Sequence, residues 1–285
     1  MTGATSFDVE GFRARVDDEL RRSVASTEAA LTRRHPGAGF LASELGRLVE
    51  AGGSHLRPTC CALGFRCAGG DDGPSITRAA AALEFLHLMA LVHDDVMDDA
   101  KERRGMPSTH VHLAQVARAA VPAVDGDAEH TGRSLAILVG DLAGVCADLL
   151  FAATGFAPER LARALERYHA VRLDMAAGQA LDVLGTRDPF RVAALKGGSY
   201  TIAGPLLVGA ALAGAPTEVE RVLIGFGEPL GTAFQLKDDL RDGEAGLGVD
   251  MTTVVSLVAQ ARNALEDAPF DVSTLDAIAG AVEAA

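Results

Sequence analysis

The sequence predicts an all-α fold: a single-domain helical bundle over residues 1–285 with a central active-site cavity. Three observations carry this. Apolar residues recur at spacings of three and four nearly throughout, and no stretch alternates as a strand does. The chain is 48% hydrophobic and rich in Ala and Leu, with no Trp and 5% aromatic residues, a composition that favours helix over strand. Two acidic clusters, Asp94-Asp95-Val96-Met97-Asp98 and Asp238-Asp239-Leu240-Arg241-Asp242, each end a strongly apolar run.

The periodicity predicts helices over 7–33, 39–51, 56–68, 75–99, 110–121, 130–154, 157–184, 190–195, 199–213, 217–242, 250–267 and 272–284. Breaks between them carry Gly, Pro or Asp: His35-Pro36-Gly37, Gly52-Gly53, Gly69 to Pro74, and Val124 to Asp127. Asp71 or Ser75 is placed to cap the helix that carries the first acidic cluster. No linker is long enough to divide domains, and no repeat has a solenoid period.

A net charge of −13 and a pI near 5.0 argue against nucleic acid as a partner. An anionic ligand must then be met by a local basic patch or by metal. Cys60, Cys61, Cys67 and Cys146 form no CxxC pair and read as small buried residues in a reducing compartment. The N-terminal stretch has no apolar core of a secretory signal, and no apolar run is expected to reach the length of a membrane span. The expected location is the cytoplasm.

In both acidic clusters the carboxylates fall at i, i+1 and i+4. Positions i and i+4 share a helix face, so the charges repel unless a cation neutralises them. A hard divalent ion such as Mg²⁺, held by a few carboxylates and by substrate phosphate, suits that need. Each cluster extends a polar stripe on its helix: His87, Leu91, Asp94 and Asp98 on one, Gly231, Gln235, Asp238 and Asp242 on the other. Arg172, Gln179 and Asp182 lie near one face of a third helix. Polar groups on otherwise apolar helices need partners, and a shared metal–anion site lined from opposite sides of a bundle would satisfy all three. Asp94, Asp98 and Asp238 are the expected main ligands, with Asp95, Asp239 and Asp242 as alternates or supports. His93 is read as supporting Asp94. Asp17-Asp18 and Glu102 read as solvated faces, and Lys196, ahead of Gly197-Gly198 as a helix stop, would by itself be a surface residue.

In order along the chain, these residues resemble the polyprenyl synthetase family, the trans-prenyl diphosphate synthases, from about residue 45 to 245. The similarity rests on Leu83 to Asp99 followed by the turn Arg103-Arg104-Gly105, on Gly140-Asp141, on Gly178-Gln179 with Leu181-Asp182, on Lys196 ahead of Ser199-Tyr200-Thr201, and on Gly231 to Gln235 leading into the second cluster. The resemblance implies an isoprenoid-synthase-like bundle, a homodimer, and a Mg²⁺-dependent prenyltransferase with three ions. It would join an allylic diphosphate to isopentenyl diphosphate to make a linear trans-polyprenyl diphosphate. It assigns Arg103 and Lys196 to the leaving diphosphate, Gln179 and Gln235 to orienting the allylic substrate, and Arg57, His87 and Arg104 to isopentenyl diphosphate.

Two departures from the family pattern stand out. The basic motif Gly-Gly-Lys-Arg-x-Arg-Pro reads here Gly52-Gly53-Ser54-His55-Leu56-Arg57-Pro58, so Ser54 replaces the lysine and His55 an arginine. One lost charge-assisted contact costs about 1.5–3 kcal/mol, roughly ten- to a hundredfold in affinity. After Asp242, Gly243 to Asp250 leads directly to what reads as a penultimate helix, and no lysine follows Lys237. The resemblance implies a longer lysine-bearing loop and several more helices there, so the segment after Asp242 reads as shortened; if those residues are truly absent, the lid is incomplete. The alternatives are a class I terpene cyclase on the same scaffold, favoured by Ser54 and His55, and a non-catalytic subunit of a heteromeric prenyl synthase, disfavoured by two complete acidic clusters. If Asp94 holds metal near the reacting carbon, the growing tail runs back along its helix and meets Met89 and Ala90 one turn away. Neither is a large aromatic, so the expected product is C20.

Overall fold

Each long apolar run folds into a helix. The computed structural model describes residues 7–120, 127–186, 188–243 and 248–284. Its helices are α1 (Val9–Arg34), α2 (Phe40–Glu50), α3 (Leu56–Cys67), α4 (Pro74–Met97), α5 (Thr109–Ala120), α6 (Ala128–Ala152), α7 (Pro158–Val183), α8 (Pro189–Ala193), α9 (Gly204–Ala213), α10 (Thr217–Asp242), α11 (Met251–Asn263) and α12 (Ser273–Ala284). The expected all-α class holds. Ends differ from the sequence reading by a residue or two in most cases, by four at the end of α11, and by five at the start of α9, where residues 199–203 belong to a π-helical segment instead. Capping decides several of them: Asp127, Asp188 and Asp250 accept backbone N–H bonds at the starts of α6, α8 and α11. The expected break at 124–126 lies outside the described residues.

Four expectations need correction. Gly197-Gly198 does not stop a helix: it lies inside a π-helical segment, Ala194–Ala203, that continues into α9. Neither Asp71 nor Ser75 caps α4, because Pro74 occupies its first turn and Gly73 stands before it. A short antiparallel ladder, β1 (Glu102–Arg103) with β2 (Met106–Pro107), follows the first acidic cluster. Finally, α4 and α6 are each long and apolar enough to cross a membrane by length and composition. In α4, 67% of the apolar window is buried inside the protein, as in a core helix.

Backbone contacts divide the chain into two compact units. One gathers the residues up to Phe12, Leu56–Thr77 and everything from Gly155; the other is Arg13–His55 with Arg78–Thr154. In the first, α10 packs on α8, α9, α11, α12 and the π-helical segment. Its core includes Leu63, Ile202, Leu206, Leu223, Phe226, Leu230, Leu236 and Val254. The π-helical segment and α10 meet backbone to backbone: a Cβ on Gly231 would lie 2.4 Å from the Gly197 carbonyl oxygen. Only glycine permits that approach. In the second unit α6 packs on α2 and α5. Its buried side chains include Leu45, Phe85, Leu86, Val92, Val139 and Ala143.

Candidate active site

In the second unit the first acidic cluster finishes α4. Asp98 N–H donates to the Asp94 carbonyl at 2.9 Å, so both belong to the last turn. There the negative end of the helix dipole adds to the carboxylate charge, the least favourable place for three Asp side chains without a cation. Asp95 is buried, and Arg103 donates to its Oδ1 from Nε at 2.8 Å and Nη2 at 2.5 Å. Arg103 Nη2 also lies 3.4 Å from Asp94 Oδ2. Burial pushes the Asp95 carboxyl up, and the Arg103 contact only partly opposes it. Asp98 is exposed, and Asp94 half-buried. The next carboxylate, Asp99, is occupied by Lys101 at 2.6 Å and Arg133 at 3.0 Å. Those bonds hold its carboxyl down, at about 2.

Arg103 and Arg104 sit on the two-strand ladder. Its turn residues Arg104 and Gly105 have φ of 54° and 73°, the left-handed pair that a two-residue hairpin requires. Arg104 Nη1 donates to the Gly52 carbonyl, and its guanidinium covers Gly53, where a Cβ would come within 2.9 Å of Nη2. Glu44 supports the ladder from α2: it accepts 2.6 and 3.1 Å bonds from Arg47 and lies 2.8 Å from His112 Nδ1. Arg47 Nη2 in turn donates to the Pro107 carbonyl at 3.3 Å.

Along α4, His87, Met89 and Ala90 are all partly buried. Met89 Sδ is 3.1 Å from where a Gly144 Cβ would be, so the methionine lies against α6. His93 Nε2 lies 3.2 Å from the Ile137 carbonyl, in a space that exists because Gly140 has no side chain. Gly140 therefore makes room for His93. Ser54 is exposed, whereas His55 is buried against Asp17 and Glu84. Asp17 is thus not a solvated position, while Asp18, paired with Arg21, is.

In the first unit the second cluster occupies the last turn of α10, with the same dipole arrangement. Burial pushes the Asp238 and Asp239 carboxyls up. Asp238 pairs with Arg241 at 2.5 Å, and Gln235 Nε2 donates to Asp239 Oδ1 at 2.8 Å. Asp242 is exposed. Lys196 is not a free surface residue: its Nζ lies 2.5 Å from Asp182 Oδ2 and its side chain is 23% exposed. Gly178 allows this, since a Cβ there would meet Lys196 Cγ at 2.8 Å. Gln179, on the same helix, is partly buried. Arg57 Nη2 donates to Thr201 Oγ1 at 2.7 Å and stacks on the Tyr200 ring at 4.3 Å. Thr201 Oγ1 donates onward to the Lys196 carbonyl at 2.9 Å. The π-helical turn thus carries Lys196 and the partners of Arg57 together, a use to which such turns are often put.

Among the described residues no three His, Cys, Asp or Glu side chains are gathered into a ready-made metal cage. The donors nevertheless suit Mg²⁺. Both clusters are all-oxygen and crowd carboxylates at helix C-termini, and two of the three carboxyls raised by burial lie in the second cluster. Such donors suit an ion that takes its remaining ligands from water and substrate oxygens. The sequence reading missed Asp17, Glu84, Tyr200 and Thr201. Glu84 carried a signal, as a lone carboxylate within an apolar run, and Tyr200 and Thr201 stood in the motif after Lys196 without a role; their contact with Arg57, and that of Asp17 with His55, join residues distant in the chain.

The description "Polyprenyl synthetase" matches residues 40–246 at the level of a family. The chain is 32% identical over 204 residues to a geranylfarnesyl diphosphate synthase of Aeropyrum pernix, covering 68% of this chain and 58% of that protein. It is 30% identical over 238 residues to a short chain isoprenyl diphosphate synthase of Methanothermobacter thermautotrophicus, covering 79% and 62% respectively. The chain therefore spans less than two thirds of the length of these curated relatives. Among solved structures it superposes on a geranylgeranyl pyrophosphate synthase of Corynebacterium glutamicum, complexed with isoprenyl diphosphate and magnesium. The TM-score is 0.90 at 25% identity, covering 98% of this chain and 99% of that one.

Proposed function

The chain belongs to the polyprenyl synthetase family, and from that premise we propose that it is a Mg²⁺-dependent prenyltransferase. It condenses an allylic diphosphate with isopentenyl diphosphate into a linear trans-polyprenyl diphosphate, C20 as the main product. The observation that supports this reading is the placing of both acidic clusters in the last turns of α4 and α10, where Arg103 and Arg241 offset only part of the stacked negative charge and a bound cation would offset the rest.

Asp94 and Asp98 on α4, and Asp238 with Asp239 and Asp242 on α10, would hold the three Mg²⁺ ions. Mg²⁺, when bound, supplies positive charge to diphosphate oxygens as the C1–O bond breaks. Arg103 keeps Asp95 in place and turns its remaining donor capacity toward the leaving group. Lys196 adds a second cation, released from Asp182 when a stronger anion arrives. Gln235 orients Asp239, and Gln179 the allylic substrate. Arg57, fixed by Thr201 and Tyr200, acts with His87 and Arg104 on isopentenyl diphosphate. Its double bond attacks C1, and the proton then lost goes to the departing diphosphate. Apolar side chains exclude water from the allylic cation. Met89 and Ala90 set the depth available to the tail.

The chain acts as a homodimer and in the cytoplasm. Supporting the first, Leu138, Val145 and Leu149 of α6 are exposed at i, i+7 and i+11 on one face, with Ile137 beside them and Val116 exposed on α5. Supporting the second, all four cysteines are free.

Exposed Ser54, and His55 turned toward two carboxylates, favour a second reading, a class I terpene cyclase that needs no isopentenyl site. One incubation separates the readings: farnesyl diphosphate and Mg²⁺, with and without isopentenyl diphosphate, analysed for longer diphosphates, hydrocarbons and alcohols. Isopentenyl-dependent elongation to C20 is the expected result. Hydrocarbons formed without isopentenyl diphosphate would support the cyclase, and no product from either would indicate a non-catalytic subunit.

A further inference from the structure

His55 stands where the family motif has an arginine, yet its ring does not face solvent. It is 6% exposed and lies between α1 and α4, with Nε2 2.8 Å from Asp17 Oδ1 and Nδ1 3.3 Å from Glu84 Oε1. Glu84 is itself buried, at 4% side-chain exposure. A neutral imidazole has one N–H and one bare nitrogen lone pair. Here both ring nitrogens oppose carboxylate oxygens, so in the neutral form one lone pair would face an oxygen. The doubly protonated ring hydrogen-bonds Asp17 through Nε2 and turns the charge of its other edge toward Glu84, whose 3.3 Å contact with Nδ1 is an ion pair rather than an aligned hydrogen bond. His55 also has φ of 48°, a left-handed value that a non-glycine residue holds only when its surroundings fix it.

The segment held in this way has a second role. Gly52, three residues earlier, presents its carbonyl to Arg104 Nη1, and Gly53 lies flat beneath the same guanidinium. We propose that His55 is a proton-dependent positioning residue: as imidazolium it ties residues 52–55 to Asp17 and Glu84 and so fixes the seat of Arg104, and deprotonation releases that seat. This rests on the reading of Arg104 as an isopentenyl diphosphate ligand. Asp17 of α1 and Glu84 of α4 are the charged groups that act on the ring. Arg21, one turn along α1 from Asp17, is engaged by Glu50 of α2 at 2.8 Å and by Asp18 at 3.3 Å. Burial disfavours the charged ring, but the contact and charge of Glu84, then those of Asp17, outweigh it and leave the His55 pKa raised. The contribution of the clamp is therefore complete below the ordinary histidine pKa and is lost as pH rises through the raised one. An arginine at this position would not titrate.

Two measurements test this on the full chain. In the first, ¹⁵N-labelled histidine is observed by NMR, with the His55 signals assigned by comparison with His55→Gln. Both His55 ring nitrogens should carry protons near neutral pH and lose one as pH rises. A singly protonated ring at neutral pH overturns the proposal without reference to catalysis. In the second, KM for isopentenyl diphosphate is followed from about pH 6 to about pH 9. Wild type should lose roughly tenfold in affinity, about one contact's worth, with the same midpoint as the NMR titration and little change in kcat. His55→Arg should keep the low-pH KM throughout, and His55→Gln should show the high KM throughout. If His55→Arg retains the wild-type pH profile, another group such as His87 controls it and the clamp does not. If isopentenyl diphosphate is not used at any pH, the functional reading fails, while the NMR titration still decides the protonation of the clamp.

Discussion

Both Arg103 Nε and Nη2 close on the single oxygen Asp95 Oδ1, at 2.8 and 2.5 Å, while Asp94 Oδ2 lies 3.4 Å away. The middle carboxylate of the first cluster is thereby committed to holding the hairpin, while Asp94 is half-buried and Asp98 exposed. Asp95→Asn should weaken Mg²⁺ binding less than Asp94→Asn does, but should loosen the hairpin. Calorimetric Mg²⁺ titration in the presence of inorganic pyrophosphate, for both variants, measures this. Equal losses would show that Asp95 also binds the ion.

Replacement of Asp94 or Asp238 by Ala should lower turnover by several orders of magnitude with helicity and melting unchanged. Each removes a carboxylate from the crowded end of a helix, so stability should hold or rise slightly. Near-wild-type turnover in either variant would remove that residue from the metal site.

Ser54 is exposed and next to the loop beneath Arg104. A lysine there has room and restores the missing cation. Ser54→Lys should lower KM for isopentenyl diphosphate by roughly tenfold, the value of one charge-assisted contact, with kcat little changed. An unchanged KM would mean that this position does not reach the substrate.

Met89 lies against Gly144 of α6, and Ala90 is the small neighbour beside it. Ala90→Phe should fill the path of the tail and shift the product from C20 toward C15, read by chromatography of the dephosphorylated alcohols. C20 as the main product of that variant would place the floor of the pocket elsewhere.

Gly231→Ala introduces a Cβ 2.4 Å from the Gly197 carbonyl oxygen and 2.7 Å from Gly198 Cα. Backbone on both sides leaves little room to yield, so the better helix propensity of Ala is outweighed. The expected loss is about 1–3 kcal/mol, read by denaturant unfolding. Wild-type stability would show that α10 and the π-helical segment separate easily.

The sequence by itself determined the helical class, nearly every helix, and the two acidic clusters, because these rest on local spacing. Apolar residues at three and four, Asp at i, i+1 and i+4, and Gly-Pro-Asp breaks act within a turn or two of the chain. It could not reveal that Lys196 lies within a continuing helix, because Gly197 there serves the close approach of Gly231, a partner far away in the chain. Nor could it distinguish Asp17 from Asp18: both stand on one helix, and only folding brings His55 to the first. The role of His55 followed the same rule. Read in one dimension it is an arginine lost from a basic motif; in three dimensions it is a ring held by two carboxylates from different helices. Contacts between distant residues depend on which helix faces meet, and tertiary packing alone decides that.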